Sequence, residues 1–145
     1  MTLEEYMRPV VDLEAKHPRW VFATNRARMF TVLFVEDDRA VRDVVTQALY
    51  AKGFAVLVAA DAYDAIRILS ERHVDVLFTD IIMPGMDGVQ LVKQAKLMRP
   101  GIKVLFATGY AQKAFERQAV RLGRVLYKPL RENEIVLELK RLLAA

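Results

Sequence analysis

Val76-Leu77-Phe78-Thr79-Asp80-Ile81-Ile82-Met83-Pro84-Gly85-Met86-Asp87-Gly88 begins as a run too apolar for a surface and places a carboxylate, Asp80, where that run must end. Pro84, Gly85 and Gly88 then turn the chain. A short buried strand that delivers one Asp to a loop is how a parallel sheet presents a reactive group at its carboxyl edge. The rest of the chain reads as the set of partners for that Asp.

Upstream, Phe30-Thr31-Val32-Leu33-Phe34-Val35 is another continuous apolar run of strand length, and it stops at three acids, Glu36-Asp37-Asp38. Val41, Val44, Val45, Ala48 and Leu49 recur at helical spacing until Lys52-Gly53 closes the helix. Phe54 to Val58 reads as a second strand. Asp61 opens a second helix with Ala62, Ala65, Ile66 and Leu69 on its apolar face, and Val74 to Thr79 forms the third strand. Downstream, Val89, Leu91, Val92, Ala95 and Leu97 predict a third helix, ended by Arg99-Pro100-Gly101. Ile102 to Ala107 is a fourth strand running into Thr108-Gly109, and Ala111 to Leu122 a fourth helix ended by Gly123. Val125-Leu126-Tyr127 is a short fifth strand before Lys128-Pro129. Ile135, Val136, Leu139, Leu142 and Leu143 give the last helix its apolar face.

Strand and helix therefore alternate five times. That pattern predicts an α/β fold with a parallel sheet, right-handed crossovers and helices on both faces. All five strand ends then lie along one edge. The acids at 36–38, Asp80, Thr108 and Lys128 each follow a different apolar run, so they meet there despite their separation in sequence.

The composition narrows the chemistry. Among 145 residues, 54 % are hydrophobic and 28 % charged, enough to fill one core and cover it with a polar surface. A formal charge of +4, with no basic run interleaved with aromatics, argues against nucleic-acid binding. The absence of cysteine excludes disulfides, thiol catalysis and Cys-based metal sites, and His17 and His73 alone do not make a His-rich zinc site. No apolar run approaches about 18 residues, so no membrane span is expected. No secretory signal opens the chain, and the expected location is the cytoplasm.

Crowding Glu36, Asp37 and Asp80 at one edge is costly, because like charges repel at low effective dielectric. A hard divalent cation removes that cost, and Mg²⁺ takes carboxylates, water and a phosphate oxygen as ligands. Lys128 adds a point charge suited to a phosphoryl oxygen. Thr108 offers a hydroxyl, and Gly109 is expected to let the backbone come close. Together they describe phosphoryl transfer with an Asp carboxylate as nucleophile. Each part alone has a plainer role: Asp38 reads as a helix cap, Thr108 as another, Lys128 as a surface lysine, and Asp87 as part of the turn with Gly88.

Residues 31–143 resemble the receiver domain of two-component response regulators. The likeness rests on Val-Glu-Asp-Asp at 35–38, Thr-Asp-Ile-Ile-Met-Pro-Gly-Met-Asp-Gly at 79–88, Ala-Thr-Gly-Tyr-Ala at 107–111 and Tyr-Lys-Pro-Leu at 127–130. It implies a flavodoxin-like, doubly wound sheet in the order 2-1-3-4-5, in a receiver of stand-alone, single-domain type. It implies that Asp80 accepts the phosphoryl group. Asp37, Asp80 and the backbone carbonyl of Ile82 would bind Mg²⁺, with Glu36 holding it through water. Thr108 would bond a phosphoryl oxygen after the switch, Lys128 would pair with it, and the Lys128–Pro129 bond would be cis. The implied donor is a sensor histidine kinase or a histidine phosphotransfer protein. The implied output is docking to an effector protein, or onward transfer, since no effector domain follows residue 145. A second copy of the chain is a further partner to expect. No substrate is turned over; only self-catalysed phosphorylation and dephosphorylation are implied. The 107–111 and 126–130 phrases are similar to those of receivers attached to or fed by hybrid kinases. One position departs: the family often carries Tyr or Phe three residues before the lysine, and here it is Val125.

Residues 1–30 read as an extension before a receiver at 31–145. Thr2 and Glu5 have capping-box spacing, Leu3, Tyr6, Val10 and Leu13 share a helix face that Pro9 interrupts, and His17-Pro18 ends it. Trp20-Val21-Phe22-Ala23 is a short apolar patch. The segment is either an arm packing on the domain or a second copy, or a loose tail with Met29 as the true start. Lys113, Arg117, Arg121 and Arg124 against Glu116 form either a solvated face or a docking surface for an acidic partner. Two rival functions compare poorly or less well. A haloacid-dehalogenase-like phosphatase needs a second Asp where this chain has Ile82. A receiver fold used as a constitutive scaffold is left open by Val125. Dinucleotide binding lacks its Gly-x-Gly-x-x-Gly after the first strand.

Overall fold

The computed structural model describes residues 29–109 and 113–144. Expectations for residues 1–28, including the helix face, its interruption at Pro9 and the Trp20–Ala23 patch, lie outside the described residues. Five strands and five helices alternate: β1 Thr31–Val35, α1 Arg39–Ala51, β2 Ala55–Ala59, α2 Ala62–Glu71, β3 Val76–Asp80, α3 Gly88–Met98, β4 Lys103–Thr108, α4 Lys113–Leu122, β5 Arg124–Tyr127 and α5 Glu132–Ala144. All pairings are parallel, and the strand order is β2-β1-β3-β4-β5. The doubly wound reading and its order therefore hold.

The continuous apolar runs follow from burial on both sheet faces. Successive side chains of a strand point to opposite faces. Leu33, Val35, Leu77, Val104 and Phe106 meet Ala62, Ala65 and Leu69 of α2, Leu91, Val92 and Ala95 of α3, and Ala119 of α4. Val32, Phe34, Val76, Phe78, Leu105 and Ala107 meet Val45 and Leu49 of α1 and Ile135, Val136 and Leu139 of α5. Phe34 and Phe78 stack at 4.7 Å between ring centroids, tilted by 35°. Val44, 69 % exposed, and Leu97, 79 % exposed, are in neither layer, and nor are Val58, 41 % exposed, and the half-buried Ala48.

Caps set where the helices begin. Asp38 accepts from the backbone amides of Ala40 and Val41, and Asp61 from that of Asp64. Asp87 caps α3 in a reciprocal pair with Gln90. Its role is thus structural, one residue more specific than a turn former. Strand ends differ from the sequence reading by a residue or two: β2 and β4 start and end one residue later, β3 starts at Val76, β5 takes in Arg124, and Asp80 is itself the last residue of β3.

Candidate functional site

The site forms where β1, β3, β4 and β5 end. β3 carries Asp80 inside its last pairing, with Asp80 opposite Ala107 of β4. The Ile81 amide continues the ladder by donating to the Ala107 carbonyl at 2.9 Å. Asp80 is consequently held by sheet geometry although it sits at a loop, and only 6 % of its surface is exposed. One strand over, β1 ends at Glu36, whose amide donates to the Ala59 carbonyl at 3.1 Å. Glu36 is buried and Asp37 exposed, and carboxylate oxygens of Glu36, Asp37 and Asp80 all lie within 4.8 Å of one another.

Lys128, just past β5, closes the cluster. Its Nζ donates to Asp80 Oδ2 at 2.8 Å and to Glu36 Oε1 at 2.9 Å. Its backbone amide donates to the Thr108 carbonyl at 2.8 Å, which fixes the lysine to the end of β4. The Lys128–Pro129 peptide is cis, as expected. Thr108 is the last residue of β4, buried, and paired in register with Tyr127. Burial holds the Glu36 carboxyl above its ordinary value, and the hydrogen bond with Asp37 and the charge of Asp80 push the same way, against the pull of Lys128 and the Asp38 amide. Burial alone would lower the Lys128 ammonium. Hydrogen bonds and charge from Asp80 and Glu36 outweigh it and leave the group raised.

Beyond Asp80, the loop reaches Ile82, which is 43 % exposed, and then turns through Gly85 at φ +78°. A left-handed residue there favours glycine. α3 returns so close to β3 that a Cβ at Gly88 would lie 2.1 Å from the Asp80 carbonyl oxygen. The steric need for glycine is thus at Gly88. At Gly109, where close approach was expected, a Cβ would meet, among the described residues, only Lys128 Cδ at an ordinary 3.7 Å. Val125 packs against the α2–α3–α4 layer, while Tyr127 points outward with 51 % of its surface exposed.

The basic set on α4 and β5 is smaller than its sequence suggests. Arg124 Nε donates to Glu138, a buried residue of α5 that also accepts from Arg141 at 2.9 Å. Arg117 and Arg121 remain exposed; the Lys113 side chain lies outside the described residues. One contributor to the site had no signal in the sequence: Arg42 Nη1 donates to the Glu36 carbonyl at 2.8 Å. From the first turns of α1 it ties down the peptide between the two acids.

Three hard carboxylates and one ammonium at the end of a buried strand can hold a divalent cation and a phosphoryl group in one place. A model of the response regulator receiver domain matches residues 32–140. The receiver protein CpdR of Brucella abortus is 34 % identical over 119 residues, which is 81 % of this chain and 99 % of CpdR. The sensor kinase CckA of the same organism is 37 % identical over 117 residues, 79 % of this chain but only 12 % of that protein. Among solved structures, the receiver domain of the hybrid histidine kinase CckA superposes with a TM-score of 0.68 at 36 % identity, over 78 % of this chain and 98 % of that one. A CheY-like receiver domain protein from Methanospirillum hungatei gives a TM-score of 0.76 at 28 % identity, over 80 % of this chain and 94 % of its own. Among the described residues, no helix is long and apolar enough to cross a membrane.

Proposed function

Because the chain belongs to the response regulator receiver domain family, we propose that it accepts a phosphoryl group on Asp80 from a phosphohistidine of a sensor kinase or histidine phosphotransfer protein. The observation that carries this reading is the pair of hydrogen bonds that Lys128 donates to Asp80 and Glu36 inside a cluster of three carboxylates. An Asp80 carboxylate oxygen forms the new P–O bond as the P–N bond to the donor imidazole breaks; the imidazole leaves with the electron pair and takes a proton. Lys128 is already at hydrogen-bond distance from the nucleophile and transfers its bond to a phosphoryl oxygen as charge builds there.

The donor set suits Mg²⁺: three carboxylates, all hard oxygen ligands, within 4.8 Å of one another. Asp37, Asp80 and the Ile82 carbonyl are its proposed ligands, with Glu36 acting through water. Bound there, Mg²⁺ supplies charge neutralisation for the transferring oxygens. The product adds roughly −1.5 to −2 charge, taking phosphorylated hydroxyls as the guide. Thr108, at the end of β4, is the residue we assign to bond that group and to carry the following loop and α4 with it. Val125 supplies no inward-turning ring, so the switch rests on Thr108. An apolar groove of about 370 Å³ between Val41 and Val44 of α1 and Pro129-Leu130 lies beside Lys128 and gives the donor protein a footing next to Asp80. Output is binding of an effector protein or onward transfer to a histidine, and the proposed location is the cytoplasm.

Intact mass after incubation with acetyl phosphate and Mg²⁺ tests the reading. The expected result is a gain of one phosphoryl group, abolished by Asp80→Asn and by omission of Mg²⁺. A folded protein that gains nothing with acetyl phosphate or phosphoramidate would instead favour a constitutive binding scaffold.

A further inference from the structure

The three carboxylates of the acidic cluster are not held alike. Asp80 is fixed inside the β3–β4 ladder. Glu36 accepts from Lys128 through Oε1 at 2.9 Å and from the Asp38 amide through Oε2 at 3.2 Å. Asp37 has neither support. It is exposed, it lies past Val35, the last paired residue of β1, and it precedes α1, which begins at Arg39. Its side chain meets Glu36, another acid. Its placement therefore falls to the backbone on either side of it. On the far side, Asp38 caps α1 by accepting from the Ala40 and Val41 amides at 2.9 and 3.3 Å. On the near side, the carbonyl of the Glu36–Asp37 peptide accepts from Arg42 Nη1 at 2.8 Å.

Arg42 is well rooted for that task. Its amide donates to the Asp38 carbonyl at 2.9 Å, so the first turn of α1 sets where its side chain starts. The guanidinium then reaches back across that turn with a charge-assisted bond. The chain from Glu36 to Arg42 is thereby closed into a ring, and Asp37 sits within it. The peptide is planar, so a bond that holds its carbonyl oxygen also restrains Asp37, whose nitrogen and Cα share the plane. We propose that Arg42 is a positioning residue for the cation site: by fixing the Glu36–Asp37 peptide it keeps the Asp37 carboxylate beside that of Asp80 and so tightens the binding of Mg²⁺. This rests on the Mg²⁺ reading proposed above. A competing effect has the opposite sign, because a guanidinium near a cation site repels the cation. Arg42 is only half-buried, so solvent and salt screen that repulsion. Support of a metal ligand from behind is worth about 10–100-fold in affinity, and the positioning effect wins.

The test uses Mg²⁺ alone, titrated into the ¹⁵N-labelled chain of 145 residues with no phosphodonor and followed by amide shifts. Arg42→Met keeps the length and the helix propensity but loses the donor and the charge. It should raise the Mg²⁺ dissociation constant by about 10-fold. Arg42→Lys keeps a charged donor and should recover most of that loss. With acetyl phosphate added, Arg42→Met should need more Mg²⁺ for half-maximal labelling, with a smaller change in the plateau rate. An unchanged dissociation constant in Arg42→Met would overturn the proposal. A lower one would also do so and would assign Arg42 to charge repulsion. Arg42→Lys as weak as Arg42→Met would overturn it as well, and so would loss of the fold in Arg42→Met, which would make Arg42 a purely structural residue. Wild type without Mg²⁺-dependent shifts would remove the metal reading and this proposal together. Binding that depends on Arg42 in a chain that takes up no phosphoryl group would remove only the phosphoacceptor reading.

Discussion

Lys128 holds two carboxylates at once, and that makes it the residue whose loss should be felt most widely. Replacing it with Met leaves Asp80 and Glu36 facing each other without a counter-charge. Phosphorylation by acetyl phosphate should slow by roughly 10²-fold or more, the scale of losing one donor to developing charge; time-resolved intact mass would measure it. The pH dependence has a definite sign. The folded-state value of Lys128 is raised above its ordinary 10.5, so its contribution to stability is complete below that pH and is lost as pH rises through the folded value. Urea unfolding of the metal-free protein should show this alkaline loss in wild type and a smaller one in Lys128→Met. Asp80, Glu36 and Lys128 were legible because each breaks an apolar run, and a charge that ends a buried strand has few places to go. Arg42 was not legible. An arginine in the first turns of a polar helix face reads as solvated, and only the path of β1 brings the Glu36 carbonyl to it.

At the scale of elements, α3 matters most, because its first residue lies against the strand that carries Asp80. Gly88→Ala would drive a methyl into the Asp80 carbonyl oxygen. It should cost about 1–3 kcal/mol in urea unfolding, the range for overpacking, and slow phosphorylation as well. Gly109→Ala is the control: with ordinary contact distance available, it should leave stability unchanged within experimental scatter. Asp87→Ala removes the cap and its reciprocal bond with Gln90, and should cost about 1 kcal/mol. Sequence marked Gly85 and Gly88 as turn formers and Gly109 as the close approach; the packing assigns the tight contact to Gly88. Helical periodicity found all five helices but overcounted their buried faces at Val44 and Leu97. A spacing rule places a residue near a stripe, while the neighbouring layer decides whether anything covers it.

For the molecule as a whole, the alternation of strands and helices made the topology readable, and the parallel sheet then brought distant residues to one edge without further assumption. The charge pattern needed the structure. Arg124 looked like a free part of a basic surface, yet it is bound to Glu138 across β5 and α5, so Arg117 and Arg121 are the exposed arginines of α4. Reversing both to Glu should weaken capture of an acidic effector in a pull-down and leave Asp80 phosphorylation unchanged by intact mass. Equal capture would mark the face as merely solvated. The register of the sheet has a consequence for proofreading. Asp80, Glu36, Thr108 and Lys128 arrive on separate strands, and Lys128 depends on β5, the four-residue edge strand. On the proposed phosphoacceptor reading, a chain with β5 undocked has its nucleophile but not its counter-charge. Such a half-finished copy is mute instead of misleading, and the ability to take up the signal certifies that the last strand is home.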